Sequence, residues 1–260
     1  MLNIKIKSME GSRVGHCLIF GGLTALGMPL LERLLNEGMY VMAVRAPLSS
    51  DNRPLEEDVE MHFGRHAFFR AVDEWREELT KAENILFLDT VPLFGDNEGV
   101  QADVLAHRLV QCIENSPNLQ RVIVASHIAI YGHPKGTVRE TCVVKPVGAI
   151  GEHADRIERT VIEKLLHDKD RARALSVTIC RLPNLYLEKR PTDWEALHVE
   201  DAARGLCAIL QRVEKSGIEV IQLTSGRTFR GPFGHYTYSY EKAKQFIGFN
   251  PVKTMENDEA

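Results

Sequence analysis

One run, Gly21-Gly22-Leu23-Thr24-Ala25-Leu26-Gly27, lies between two apolar segments and restricts the fold more than any other feature of the chain. Val14 to Phe20, before it, reads as a buried strand. After it, Met28 to Asn36 sets Leu30, Leu31, Leu34 and Leu35 on one helical face; Gly38 stops that helix, and Tyr40 to Val44 reads as a second strand. Strand, glycine turn, helix and strand make a βαβ unit of the dinucleotide-binding kind, whose first glycine permits the turn and whose last lets helix and strand pack closely. A packed strand–helix turn without a ligand is the alternative.

The remaining sequence bounds the setting of that unit. At 260 residues the chain can bury a substantial core, and the expectation is one α/β domain over 1–260 with a small C-terminal lobe built mainly from about 184–200 and 225–252. A formal charge of −4 gives no reason to expect nucleic acid or an anionic membrane as partner. Cys17, Cys112, Cys142, Cys180 and Cys207 are scattered and show no C-x-x-C, so they read as reduced thiols and point to a cytoplasmic location. No apolar stretch is long enough to span a bilayer, and the N-terminus lacks the apolar core of a signal peptide. Residues 1–12 are expected to be either a loose leader or an extra edge strand, and the acidic tail after Lys253 is expected to be disordered. His62 and His66 have the spacing of two metal ligands on a helix, but Gly64 lies between them and no third ligand follows, so no metal site is expected. From His66 to Ala82 the spacing of Phe69, Val72, Trp75 and Leu79 predicts an amphipathic helix.

A second frame runs from Val122 to Glu158. Val122-Ile-Val-Ala-Ser126-His127 is a β-branched apolar run ending in small polar residues, followed by Ile-Ala-Ile-Tyr131-Gly132. Farther on stands Pro146-Val-Gly-Ala-Ile150-Gly151-Glu152-His153-Ala154-Asp-Arg-Ile-Glu158. Together with the glycine turn, this frame resembles the extended short-chain dehydrogenase/reductases of the nucleotide-sugar epimerase/dehydratase type. The resemblance implies a Rossmann-like doubly wound parallel sheet with a small C-terminal substrate lobe. It also shows what is missing. The family's catalytic Ser or Thr falls on His127, its acid/base tyrosine on Ile150, and the lysine that lowers the tyrosine's pKa and holds the cofactor ribose on Ala154. Neither Ile nor Ala can transfer a proton. His127, His153 and Asp89 are the side chains that can replace the dyad, since a histidine titrates near neutrality; alternatively they are polar residues filling a disused site.

Cofactor contacts implied by the resemblance are Gly21, Leu23, Thr24, Ala25, Leu26, Gly27, Arg45, Thr90, Ser126 and Pro183. Thr24 replaces the middle glycine of the family's G-x-x-G-x-x-G, and its hydroxyl either reaches a phosphate or obstructs one. Arg45 ends the second strand, where an acid reads the ribose of NAD and a base the 2′-phosphate of NADP; NADP is therefore slightly favoured over NAD, unless Arg45 is a solvated strand-end residue. The family also sets an aspartate after the third strand to touch adenine, and Met61-His62-Phe63-Gly64-Arg65 offers Arg65 instead. After the fourth strand, Asn84 to Leu88, come Asp89 and Thr90, with Asp89 near the nicotinamide or capping a turn.

Arg181-Leu182-Pro183-Asn184-Leu185-Tyr186 resembles the family's R-x-P-N-x-Y, and His198-Val199-Glu200-Asp201-Ala202-Ala203 its H-V-x-D-x-A, where Asp201 also reads as a helix-capping acid. Asn184, Arg227 and Arg230 are the substrate contacts so implied, the arginines toward a nucleotide-sugar diphosphate; a solvent-facing loop is the alternative for them. Tyr240 to Pro251 resembles the closing helix. Homodimerisation is expected through helices at about 100–114 and 151–167. Three functions remain open: a cofactor-binding sensor, regulator or partner subunit with a degenerate site; an NADP-dependent reductase or epimerase of altered mechanism; and a cofactor-free structural or assembly protein.

Overall fold

The computed structural model describes residues 15–45, 53–90, 102–189, 191–192, 194–212 and 216–256. The expected leader at 1–12 and the end of the acidic tail lie outside the described residues, as do the first two positions of the expected dimer helix at 100–114.

The chain builds in alternation β1 (His16–Phe20), α1 (Gly27–Asn36), β2 (Tyr40–Val44), α2 (Arg53–Phe63), β3 (Phe69–Val72), α3 (Trp75–Glu78), β4 (Asn84–Phe87), α4 (Ala102–Asn115) and β5 (Arg121–His127). A 3₁₀ turn, Ile128–Tyr131, leads to β6 (Gly136–Val138), α5 (Gly148–His167), α6 (Lys169–Ala174), β7 (Ser176–Leu182), β8 (Asn184–Tyr186) and β9 (Ala196–His198). Then come α7 (Val199–Gln211), β10 (Gly217–Gln222), β11 (Thr228–Gly231), β12 (Gly234–Tyr238), α8 (Glu241–Ile247) and α9 (Val252–Glu256).

Seven strands form one parallel sheet in the order β10-β7-β5-β4-β1-β2-β3. This is the doubly wound Rossmann arrangement, and its strand order reverses between β1 and β4, where such sheets open a crevice. The apolar runs are continuous because both faces are covered. Cys17 and Ile19 of β1 join the layer holding α1 and α7, whereas Leu18 and Phe20 join the layer holding α4 and α5. Gly38, at φ +76°, ends the α1 turn as expected, and Gly248, at φ +65°, does the same after α8.

Among the described residues, two small sheets stand beside the large one. β8 pairs in parallel with β9, and β11 forms a hairpin with β12, which also pairs in parallel with β6. β8 and β9 fall in the range 184–200 and β11 and β12 in 225–252, whereas β6 comes from outside both ranges.

The stretch from Met61 to Ala82 departs from the sequence reading. Met61 to Phe63 ends α2 rather than preceding the adenine contact as a strand, and Phe69–Val72 is β3 rather than helix, with only Trp75–Glu78 helical. Val41 to Val44 pair residue by residue with Phe69 to Val72, so sheet pairing at the edge overrides the helical spacing. The residue that follows the third strand is therefore Asp73, not Arg65.

Candidate functional site

The site starts at the C-terminal ends of β1 and β4. Gly21 adopts φ +74°, and a Cβ there would stand 2.9 Å from the backbone nitrogen of Asp89. Gly27 has no room at all: its Cβ would lie 1.7 Å from the carbonyl oxygen of Gly22. These two glycines therefore let the chain turn and let α1 press against the end of β1. Thr24 turns its hydroxyl inward, donating to the Gly21 carbonyl at 2.8 Å and accepting from the Gly27 N–H at 3.3 Å, so it braces the loop instead of reaching outward. Leu23 and Leu26 are each 1% exposed and pack into the core, leaving the backbone, with Ala25, to face any ligand. The first turn of α1 carries no acidic residue, and no side chain caps it from Leu26. An uncapped helix N-terminus free of carboxylates suits an anion such as a diphosphate.

At the ends of β2 and β3, Arg45 is held by two carboxylates. Its Nε and Nη2 donate to Glu60 Oε1 and Oε2 at 2.6 and 2.9 Å, and Nη1 donates to Asp73 Oδ2 at 2.6 Å. Glu60 arrives from α2 and Asp73 from the residue after β3, so the trio carries one net negative charge. Sequence reasoning missed both acids: Glu60 sits mid-helix without a local signal, and Asp73 was hidden by the helical reading of Phe69–Val72.

Beyond β4, Asp89 Oδ2 accepts from Arg108 Nη2 of α4 at 2.6 Å. The Arg108 guanidinium lies 4.5 Å above the Phe20 ring, which is stacked on Phe87. Thr90 is buried and donates its hydroxyl to the carbonyls of Ala125 and Phe87. His153 of α5 comes to the same place: burial lowers its pKa, a hydrogen bond to the Thr90 backbone opposes this, and Arg156 adds to the lowering.

The Val122–Glu158 frame is a closed polar network. Ser126 is fully buried and donates to Glu158 Oε1 at 2.5 Å. Glu158 in turn receives Arg181 Nε at 2.9 Å and Nη2 at 2.6 Å. Arg181 Nη1 donates to the Tyr131 hydroxyl at 2.7 Å, and that hydroxyl donates to Gln222 Oε1 at 3.1 Å. Gln222 closes the chain through its side-chain amide on the carbonyls of Val138 and Ser239. Burial raises the Tyr131 phenol to about 12 against the pull of Arg181, so it holds its proton at neutral pH. The side chain of Ser126 is thus spent on tying β5 to α5 and β7.

His127 accepts the Ala129 N–H at Nδ1 (3.0 Å), which leaves Nε2 as the protonated nitrogen, donating to Asn184 Oδ1 at 3.2 Å. Burial lowers its pKa to about 4, with the bond to Asn184 opposing. It is a neutral ring with both nitrogens engaged. Ile150 and Ala154 lie one helical turn apart on α5, and Ala154 is fully buried. Gly151 between them lets α5 approach the 3₁₀ turn, since a Cβ would stand 2.7 Å from the Ala129 carbonyl oxygen.

In the second half, Pro183 is buried between β7 and β8, and Asn184 opens β8 facing His127. Arg227 is half-buried just before β11 and Arg230 is exposed on β11, where it pairs with His235 of β12. Arg230 thus belongs to the three-stranded sheet, and Arg227 to the segment that leads into it. Asp201 caps a helix, but a distant one: its carboxylate accepts Thr254 N–H and hydroxyl at 2.7 Å each and Lys253 N–H at 3.3 Å, fastening α9 to α7. Among the described residues no group of three or more His, Cys, Asp or Glu is arranged to hold a metal ion.

Strand order, glycine turn and second-half motifs together define the fold as that of the extended short-chain reductases and nucleotide-sugar epimerases. No family model and no curated protein matches the chain, but solved structures do. One is UDP-glucuronic acid 4-epimerase from Bacillus cereus in complex with UDP-glucuronic acid and NAD, at TM-score 0.71 and 15% identity, covering 91% of this chain and 94% of that one. MoeE5 in complex with UDP-glucuronic acid and NAD superposes at 0.66 with 18% identity, covering 91% and 94%. The yeast methylglyoxal/isovaleraldehyde reductase Gre2, complexed with NADPH, does so at 0.68 with 13% identity over 93% and 96%. Likeness at these identities is a likeness of fold.

Proposed function

We propose that this protein binds a nicotinamide dinucleotide in the crevice above β1 and β4 and acts as a sensor, regulator or partner subunit, without the tyrosine–lysine proton relay. What carries the reading is one contrast: the turn from Gly21 to Gly27 keeps the packing that a dinucleotide site needs, while Ile150 and Ala154 occupy the relay positions. His127 offers no substitute, because both ring nitrogens are engaged. The glycine cradle, which any Cβ would fill, and the carboxylate-free start of α1 fit a diphosphate.

The adenosine end favours NAD. Arg45 would have to share its guanidinium among Glu60, Asp73 and a 2′-phosphate, and like charges at hydrogen-bond distance repel. A ribose hydroxyl, by contrast, can donate to either carboxylate. A preference for NADP would need an Arg45 free of acids, and here Glu60 and Asp73 hold it. Titration calorimetry of the ligand-free protein should give NAD binding at least about tenfold tighter than NADP, a difference of about 1.4 kcal/mol. Absence of binding at millimolar NAD would overturn the reading and leave an assembly role.

A second reading is an enzyme of altered mechanism acting on a nucleotide sugar or another hydroxy/keto substrate, with Asp89 or His153 as the proton-transfer group. The unpartnered Oδ1 of Asp89 and Nε2 of His153 favour it, and turnover of a UDP-sugar that is lost in His153→Ala would establish it. In both readings Arg227, Arg230 and Asn184 suit the ligand's diphosphate and sugar. The homodimer interface falls on α4 and α5, where Val104 and Leu166 are exposed, and the free cysteines suit a cytoplasmic setting.

A further inference from the structure

Among the described residues, five buried side-chain polar atoms have no hydrogen-bond partner: Asp89 Oδ1, Arg108 Nε, His153 Nε2, Arg33 Nε and Tyr186 Oη. Buried polar atoms are nearly always satisfied, so each exception calls for an account. Three of the five converge on the end of β4. Asp89 belongs to that end, Arg108 reaches it from α4 through the 2.6 Å ion pair, and His153 reaches it from α5 through the Thr90 backbone. Such convergence from three elements differs from a single strained rotamer.

The three atoms have a definite hydrogen-bonding character. Asp89 Oδ1 is an acceptor and Arg108 Nε–H is a donor. His153 Nε2 is an acceptor as well, because the neutral ring commits its one N–H to the Thr90 backbone. Two acceptors and one donor match a vicinal diol: each hydroxyl donates to one acceptor, and one hydroxyl oxygen accepts from the guanidinium. The bridging diphosphate of a dinucleotide has no proton to give Asp89, and an apolar group would leave all three unmet.

Position says which diol. Asp89 touches the glycine turn, its Cβ 3.1 Å from where a Gly21 Cβ would be. In a sheet that reverses between β1 and β4, a dinucleotide lies across that reversal with its diphosphate at the glycine turn. Its adenosine half lies toward β2, where Arg45, Glu60 and Asp73 stand, and its other half lies toward β4 and β5. We propose that Asp89, Arg108 and His153 form the seat of the second ribose, the one bearing nicotinamide, so that a three-residue grip from β4, α4 and α5 replaces the single lysine missing at position 154. The inference rests on the dinucleotide reading above. Arg108, which no motif singles out, is both brace and contact in the grip, since it holds Asp89 with one nitrogen and offers another to the ligand.

The test compares ADP, which lacks the second ribose, with ADP-ribose, which has it, by calorimetry on the full chain. Wild-type protein should bind ADP-ribose at least about tenfold more tightly than ADP, the scale of one or two hydrogen bonds to a charged or buried group. His153→Ala and Asp89→Asn should each weaken ADP-ribose about tenfold and leave ADP within about twofold. Thermal melts verify that each variant is folded, and His153→Ala removes only a half-buried helical side chain. Equal wild-type affinity for ADP and ADP-ribose overturns the ribose seat alone. So does a variant that binds ADP-ribose like wild type, or one that loses ADP and ADP-ribose in parallel. Wild-type protein that binds neither compound overturns the dinucleotide reading and the seat with it.

Discussion

Two polar clusters in this molecule use similar residue types and end in opposite states. Ser126, Glu158, Arg181, Tyr131 and Gln222 form a chain in which the carboxylate, guanidinium, phenol and amide all find partners. Asp89, Arg108 and His153 sit across the β4 end with one acid, one guanidinium and one imidazole, and each keeps an atom unmatched. A closed buried network fixes one arrangement of the elements it joins, here β5, α5 and β7. An open one holds hydrogen-bonding capacity in reserve, which is what a binding site requires. Ser126 and Glu158 are thus tied up in packing β5, α5 and β7, whereas the unmatched polar atoms gather at the end of β4.

The largest effect that would test this contrast is expected from Glu158→Ala. It leaves the Arg181 guanidinium, 6% exposed, without its carboxylate, and breaking a buried pair on one side costs about 3–5 kcal/mol in denaturant unfolding. A loss below about 1 kcal/mol would mean that the closed network does not hold the sheet to α5.

Acid should probe the engaged histidine next. His127 has a pKa near 6.5 when unfolded and about 4 when folded, so the unfolded chain takes up the proton first. The contribution of the neutral ring is complete above pH 6.5 and is lost as pH falls toward about 4, amounting to about 3 kcal/mol at most. His127→Asn should flatten the slope of unfolding free energy against pH within that window; an unchanged slope would assign the acid sensitivity to other groups.

The smallest effect belongs to the open cluster. His153→Ala deletes an unsatisfied buried nitrogen and places a better helix former in α5, so stability should stay within about 0.5 kcal/mol of wild type or rise. A loss above about 2 kcal/mol would show that His153 is as structural as Glu158 and would erase the distinction.

Legibility in the sequence followed the same divide. The β1–α1–β2 unit was readable because each boundary has its own chemical mark: an apolar run, glycines that the packing demands at 21 and 27, and Gly38 in a left-handed turn. The helix expected at about 151–167 lies within α5, and the segment likened to a closing helix from Tyr240 contains α8. Met61 to Ala82 was not readable. Phe69, Val72, Trp75 and Leu79 are spaced as on a helix, yet Phe69 and Val72 belong to a four-residue edge strand whose hydrogen bonds come from β2, 28 positions earlier in register. Short strands defined by distant partners leave little periodic trace. The site had the same limit: Arg45 was visible, but Glu60 and Asp73, which decide its character, stand 15 and 28 residues away. Arg108 likewise gains meaning only once α4 folds over Phe20.

The contact between Asp201 and Thr254 has a consequence for the order of assembly. A carboxylate with no exposed surface needs several donors: Arg204, one turn along α7, supplies one at 2.7 Å, and the other three, from Lys253 and Thr254, lie more than fifty residues downstream. As the chain leaves the ribosome, α7 can coil early, but its acidic first turn remains hydrated until Lys253 and Thr254 emerge. Closure of this side of the domain is therefore timed by a short, late-made helix, and Asp201 registers its arrival.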